Sequence, residues 1–137
     1  MKIFILEDDA RRISQFKDKL WKDGRVIYVA KSVAEAIEMV TKEGPFDTVF
    51  LDHDLAPQHY LALKDECDPN EPRVPDGHDF VLWMVENGGK VVHDYTQVFI
   101  HSMNPVGVQN MLNTINSSVL DVVPTAIPFG RLINAIQ

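Results

Sequence analysis

The sequence predicts a three-layer α/β domain, a doubly wound parallel five-stranded sheet with helices on both faces. Two observations carry this reading. Short apolar runs alternate along the chain with segments whose apolar residues recur at helical spacing. The runs are continuous in polarity, as strands buried on both faces are. At 137 residues, with 45% hydrophobic and 24% charged content, the chain suits one domain, 1–137, around a single core.

The elements follow in order. Lys2–Leu6 is an apolar strand halted by Glu7, Asp8 and Asp9. Ile13, Phe16 and Leu20 then share one helical face, and Asp23–Gly24 closes that helix. Residues 25–30 form the second strand. Ser32 with Glu35 makes a capping-box pattern for a helix buried through Ala36, Ile37 and Val40 and ended by Gly44–Pro45. Residues 48–51 form the third strand, inside "FDTVFLDHDL". A polar insert at 56–75 carries four prolines, and a loop that long is functional or mobile. Its "YLALKD" has the makings of a helical turn. Asp76–Gly77 opens a third helix with Phe80, Trp83 and Met84, ended by Gly88–Gly89. Residues 97–101 form the fourth strand, and Pro105 starts a helix reaching about Asn116. The fifth strand falls within 119–126, where Pro124 suits a sheet edge. Residues 129–136 form a closing helix.

Charge narrows the partners. A net charge of -7 argues against an extended nucleic-acid surface, while leaving room for a phosphate-bearing ligand whose charge a divalent cation offsets. No signal-peptide pattern opens the chain and no apolar run reaches membrane-spanning length. The lone Cys67 cannot form an internal disulfide, which fits a cytoplasmic setting.

Chemistry collects at three strand ends, the edge at which open parallel sheets bind ligands. The first strand delivers Glu7, Asp8 and Asp9, the third Asp52, His53 and Asp54, and the fourth His101 and Ser102. Carboxylates converging near a core repel one another, and Mg²⁺ or another divalent cation relieves that repulsion.

These residues resemble those of response-regulator receiver domains. "FILEDDARR" is similar to that family's first strand and acidic pair, "VFLDHDL" to its phosphoacceptor strand, the "DG" at 76–77 to the turn before its third helix, and "IPFGRL" to its final turn. The resemblance covers nearly the whole chain outside the insert. It implies a flavodoxin-like, receiver-like sheet of order 2-1-3-4-5. Asp8 and Asp9 would be metal-site acids, Asp52 the phosphoacceptor position, and Asp54 a ligand through its backbone carbonyl. Ser102 would contact the phosphoryl group, and a cis peptide bond would precede Pro128.

The chain departs from that pattern twice. The family's Lys before Pro-Phe is replaced by Ile127, and imidazoles stand at His53 and His101. The histidines make the chain similar to a divergent receiver group of bacteria and phages, predicted to process cyclic-phosphate ends of RNA. That resemblance implies a metal-dependent phosphoesterase with His53 and His101 sharing acid and base roles, since imidazole serves as either near neutral pH. Its partner would be a phosphate-bearing small molecule or RNA end. The alternatives are a non-catalytic module that binds a protein partner and an atypical phosphoacceptor at Asp52.

Blander readings stand beside these. One of the first-strand acids would cap the first helix, and His53 would be a hydrogen-bonded strand-end histidine. His78 and His93 would lie on the surface, and Phe80, Trp83 and Met84 would be core. The acidic residues between 65 and 71 would be solvated. His59 would reach the site only if the insert folds over it.

Overall fold

The computed structural model describes residues 1–55 and 74–136. The elements are β1 (Lys2–Leu6), α1 (Ala10–Leu20), β2 (Val26–Ala30), α2 (Val33–Glu43), β3 (Phe46–Leu51), α3 (Gly77–Glu86), a 3-10 turn (Gly88–Lys90), β4 (Val92–Ile100), α4 (Pro105–Asn116), β5 (Pro124–Ala126) and α5 (Phe129–Ala135). Every strand pair is parallel and the order is β2-β1-β3-β4-β5, the predicted fold and strand order. Most of the insert, with "YLALKD", His59 and Cys67, lies outside the described residues.

Strand alternation divides the core between two faces. Ile3, Ile5 and Phe50 pack with Phe16 and Leu20 of α1 and with Leu132 and Ile133 of α5. Phe4, Leu6, Val49 and Leu51 point the other way, onto Ala36 and Val40 of α2, Phe80 and Met84 of α3, and Met111 and Ile115 of α4. Each large apolar side chain fully buried in this way contributes about 1.5–3 kcal/mol. Trp83 packs on this second core, stacked 6.0 Å from Phe80.

Local chemistry sets the helix ends. Asp9 caps α1 by accepting from Arg12 N at 2.9 Å, and Asp76 and Asp79 form a reciprocal capping box on α3. At α2, Ser32 Oγ accepts from Glu35 N, but the Glu35 carboxylate reaches back to Lys31 N instead of to the cap itself. The first helix ends at Leu20, before the Asp23–Gly24 pair; Gly24, at φ +84°, serves the turn into β2.

Two expectations are corrected. The fourth strand begins at Val92, not at 97, because Thr96 turns inward and donates to Phe46 O at 2.6 Å, carrying the strand through an irregular register. Among the described residues the cis peptide bond is Gly44–Pro45, and the bond before Pro128 is trans. Pro128 instead holds an extended conformation as it leads into α5.

Gly77 ties the fold to the strand-end cluster. Its N–H donates to His53 O at 2.8 Å, and a Cβ there would fall 1.9 Å from the backbone oxygen of Asp52. The obstacle is backbone and cannot rotate away. Gly77→Ala is therefore expected to cost about 3 kcal/mol in urea unfolding. Unchanged stability would show that the Asp52–His53 backbone moves freely.

Candidate functional site

Register builds the site. Ile5, Phe50 and Phe99 are aligned across β1, β3 and β4 on the α1/α5 face. Two residues on, the same face presents Glu7, Asp52 and His101. The ladder continues just past the strand ends, with Asp52 N donating to Leu6 O at 3.1 Å and His101 N to Leu51 O at 3.0 Å. Helix α1 and Phe129 close over this polar row. The His101 ring meets Phe16 edge-on at 5.1 Å and Phe129 at 6.1 Å.

All three groups are buried: Glu7 and His101 are 0% exposed and Asp52 is 2%. Glu7 is the hub. Its Oε2 accepts from Asp8 N at 2.9 Å and Asp9 N at 3.1 Å, and its Oε1 lies 3.2 Å from His101 Nε2. Arg12 Nε stands 2.9 Å from the same Oε1 as an ion pair, without the alignment of a hydrogen bond. Asp52 Oδ1 accepts from His53 N at 2.9 Å. Among the described residues its buried Oδ2 has no hydrogen-bond donor, and Arg12 Nη2 stands 3.8 Å away.

Burial governs the proton affinities. Desolvation, then the charge of Glu7, raises the Asp52 carboxyl to about 7, against the pull of Arg12. Desolvation also raises Glu7, opposed by the Asp9 N–H and the Arg12 charge. His101 is lowered to about 4 by burial, although Asp52 opposes the shift, so the ring is neutral at pH 7. A neutral ring that donates from Nε2 to Glu7 leaves Nδ1 as a buried lone pair with no partner among the described residues.

The histidines occupy different surroundings. His53 Nδ1 lies 2.8 Å from Asp54 Oδ1, its Nε2 lies 3.5 Å from Asp76 Oδ2, and its side chain is 13% exposed. The ring packs so closely on Gly107 that a Cβ there would come within 2.4 Å of it. Asn104 steadies the arrangement, with Nδ2 donating to Asp54 Oδ1 at 3.3 Å while its own Oδ1 caps α4. Ser102 Oγ accepts from Asn104 N at 3.1 Å.

Among the described residues, one group of three potential metal donors lies within 4.8 Å of one another: Glu7, Asp52 and His101. Two carboxylates and an imidazole, with orphaned atoms on Asp52 and His101, suit a divalent cation. Asp8, Asp9 and Asp54 are not in that group. Asp9 is the helix cap, where the Arg12 N–H holds its carboxyl below the usual range.

Sequence reasoning named Glu7 at the strand end but passed over it for the Asp8–Asp9 pair, and it passed over Arg12 and Asn104 altogether. The period of two was the available signal, since Glu7 continues the Ile3–Ile5 face and Asp8 does not. His78 and His93 are half-buried and partnered, by Thr114 Oγ1 at 2.8 Å and by Asp47 Oδ1 at 2.9 Å.

A family model described as the cyclic-phosphate processing receiver domain matches residues 1–117. The chain belongs to that family. Solved structures place this cyclic-phosphate processing receiver within the receiver fold. The phosphorylated cyanobacterial phytochrome response regulator RcpA aligns at TM-score 0.65 and 17% identity, over 98% of this chain and 87% of that one. A CheY-like receiver domain from Methanospirillum hungatei aligns at TM-score 0.61 and 14% identity, over 98% and 89%. A Burkholderia pseudomallei response regulator, solved with a phosphorylated aspartic acid, a calcium ion and citrate, aligns at TM-score 0.61 and 11% identity, over 99% and 66%. No curated protein matches the chain. No helix among the described residues is long and apolar enough to cross a membrane.

Proposed function

We propose that this cyclic-phosphate processing receiver is a metal-dependent phosphoesterase that opens a cyclic phosphodiester, with a 2′,3′-cyclic phosphate at an RNA end as the substrate class. The observation that carries the reading is the buried strand-end group of Glu7, Asp52 and His101, whose donor atoms lie within 4.8 Å of one another, at the sheet edge where His53 Nδ1 is held 2.8 Å from Asp54 Oδ1. Imidazole serves proton transfer near neutral pH. His53, with Nδ1 on Asp54, takes a proton at Nε2 from water as the water oxygen bonds to phosphorus. The bond from phosphorus to one ribose oxygen breaks, and that oxygen takes a proton relayed by solvent from His53 Nε2.

Burial favours a positioning role for His101, which holds Glu7, over direct contact with substrate. Ser102 orients the phosphoryl group. Glu7, Asp52 and His101 would hold Mg²⁺ or Mn²⁺, with Asp8, Asp9 and the Asp54 carbonyl as further candidate ligands. Such a cation supplies charge neutralisation for the phosphoryl oxygens.

The test is turnover of 2′,3′-cyclic nucleotides by purified protein with Mg²⁺, with Mn²⁺ and with EDTA. The expected result is a metal-dependent monophosphate product, lost in His53→Ala. Absence of product under every condition contradicts the proposal. Exposed Met103, Val106, Val119 and Val123 around α4 and β5 favour a second reading, a protein-interaction module. Stable aspartyl phosphate on Asp52 after acetyl phosphate treatment would support the phosphoacceptor alternative.

A further inference from the structure

We propose that Arg12 is the anion fork of this site, the group that grips the phosphate oxygens of the ligand. The inference rests on the phosphoesterase reading and names its ligand-binding cation. Arg12 belongs to the first turn of α1, which begins at the carboxyl edge of the sheet, and its guanidinium reaches the buried Glu7–Asp52 pair. Among the described residues it is the cation paired with those two carboxylates.

Three observations give it a ligand-seeking character. Among the described residues its buried Nε has no hydrogen-bond partner and neither Nη has an acceptor. The side chain is nonetheless 26% exposed, so Arg12 remains in contact with solvent. Its orientation is fixed from two sides, by the Glu7 charge at 2.9 Å and by the Phe129 ring, whose centroid lies 5.9 Å from the guanidinium carbon. A planar guanidinium held in place with unused N–H groups matches paired phosphate oxygens, which a lysine meets only as a point charge. The ligand feature recognised is a pair of phosphate oxygens, carried by a cyclic ester or by inorganic phosphate.

Calorimetric titration of adenosine 2′,3′-cyclic monophosphate, and separately of inorganic phosphate, into metal-free wild type, Arg12→Lys and Arg12→Gln reads this directly. Wild type is expected to bind the cyclic ester, with affinity falling about tenfold or more in Arg12→Gln and by an intermediate amount in Arg12→Lys. Arg12-dependent binding of inorganic phosphate as well would assign the fork to phosphate in general, whereas binding of the cyclic ester alone would assign it to the ester. In wild type the Arg12 Nε–H resonance is expected to shift on saturation, a readout that needs no variant to fold. Failure of wild type to bind either probe, unchanged affinity in Arg12→Gln, or an unmoved resonance at saturation would overturn the inference. Turnover with Arg12-independent affinity would sink this inference alone. Arg12-dependent binding without turnover would sink the phosphoesterase reading alone.

Discussion

Glu7→Ala is expected to destabilise the domain by about 3–5 kcal/mol in urea unfolding at pH 7. The substitution removes the charge partner of Arg12, the acceptor for Asp8 N and Asp9 N, and the polar contact of the fully buried His101. It also opens a cavity at a site of 0% exposure. Glu7→Gln keeps the shape and an acceptor oxygen, so a smaller loss of about 1–2 kcal/mol is expected. A loss below about 1 kcal/mol for Glu7→Ala would mean that the buried polar row does not depend on Glu7.

Asp52→Asn is expected to do the reverse at alkaline pH, stabilising the metal-free protein while abolishing its activity. The Asp52 carboxyl titrates near 7 when folded, against an ordinary value of 3.8. The folded state therefore holds a proton that the unfolded chain releases between pH 4 and 7. That contribution is complete below about pH 4 and is lost as pH rises through about 7. Asparagine cannot ionise, and its amide N–H can stand where the proton of Asp52 stood. At ~1.4 kcal/mol per pH unit the shift bounds the gain at about 4 kcal/mol. Coupling to Glu7 reduces the expectation to about 1–3 kcal/mol at pH 8.5. His101 slopes the other way. Its folded value of about 4 gives stability that is present above 6.5 and lost as pH falls through 4. At pH 8.5 His101 is neutral both folded and unfolded, so it adds nothing to the difference there. Chemical denaturation from pH 4 to 9 in EDTA measures the gap, and an Asp52→Asn protein less stable than wild type at pH 8.5 would contradict it.

The fold was legible because the apolar runs and helical faces agreed with the cap residues beside them. Ile13, Phe16 and Leu20 face the core, Ser32 and Asp76 cap helices, and Pro105 opens another. The amino half of β4 was not legible, because His93, Asp94 and Thr96 interrupt its apolar pattern. The site was legible as an edge but only partly as a constellation. Asp52 and His101 emerged from their strand ends. The Asp8–Asp9 doublet drew attention by similarity, while side-chain direction makes Glu7 the inward acid and Asp9 a cap. Arg12 was hidden for a different reason. It reads as one surface residue of an amphipathic helix until the sheet register brings Glu7 and Asp52 beneath it.

The most direct test of the central claim is phosphorus NMR of an oligonucleotide ending in a 2′,3′-cyclic phosphate, incubated at pH 7 with Mn²⁺ and either wild-type or Asp52→Asn protein. The account predicts that wild type converts the cyclic diester signal into a monoester signal and that the folded Asp52→Asn protein leaves it unchanged. An unchanged signal with wild type, or equal conversion by both proteins, would contradict it.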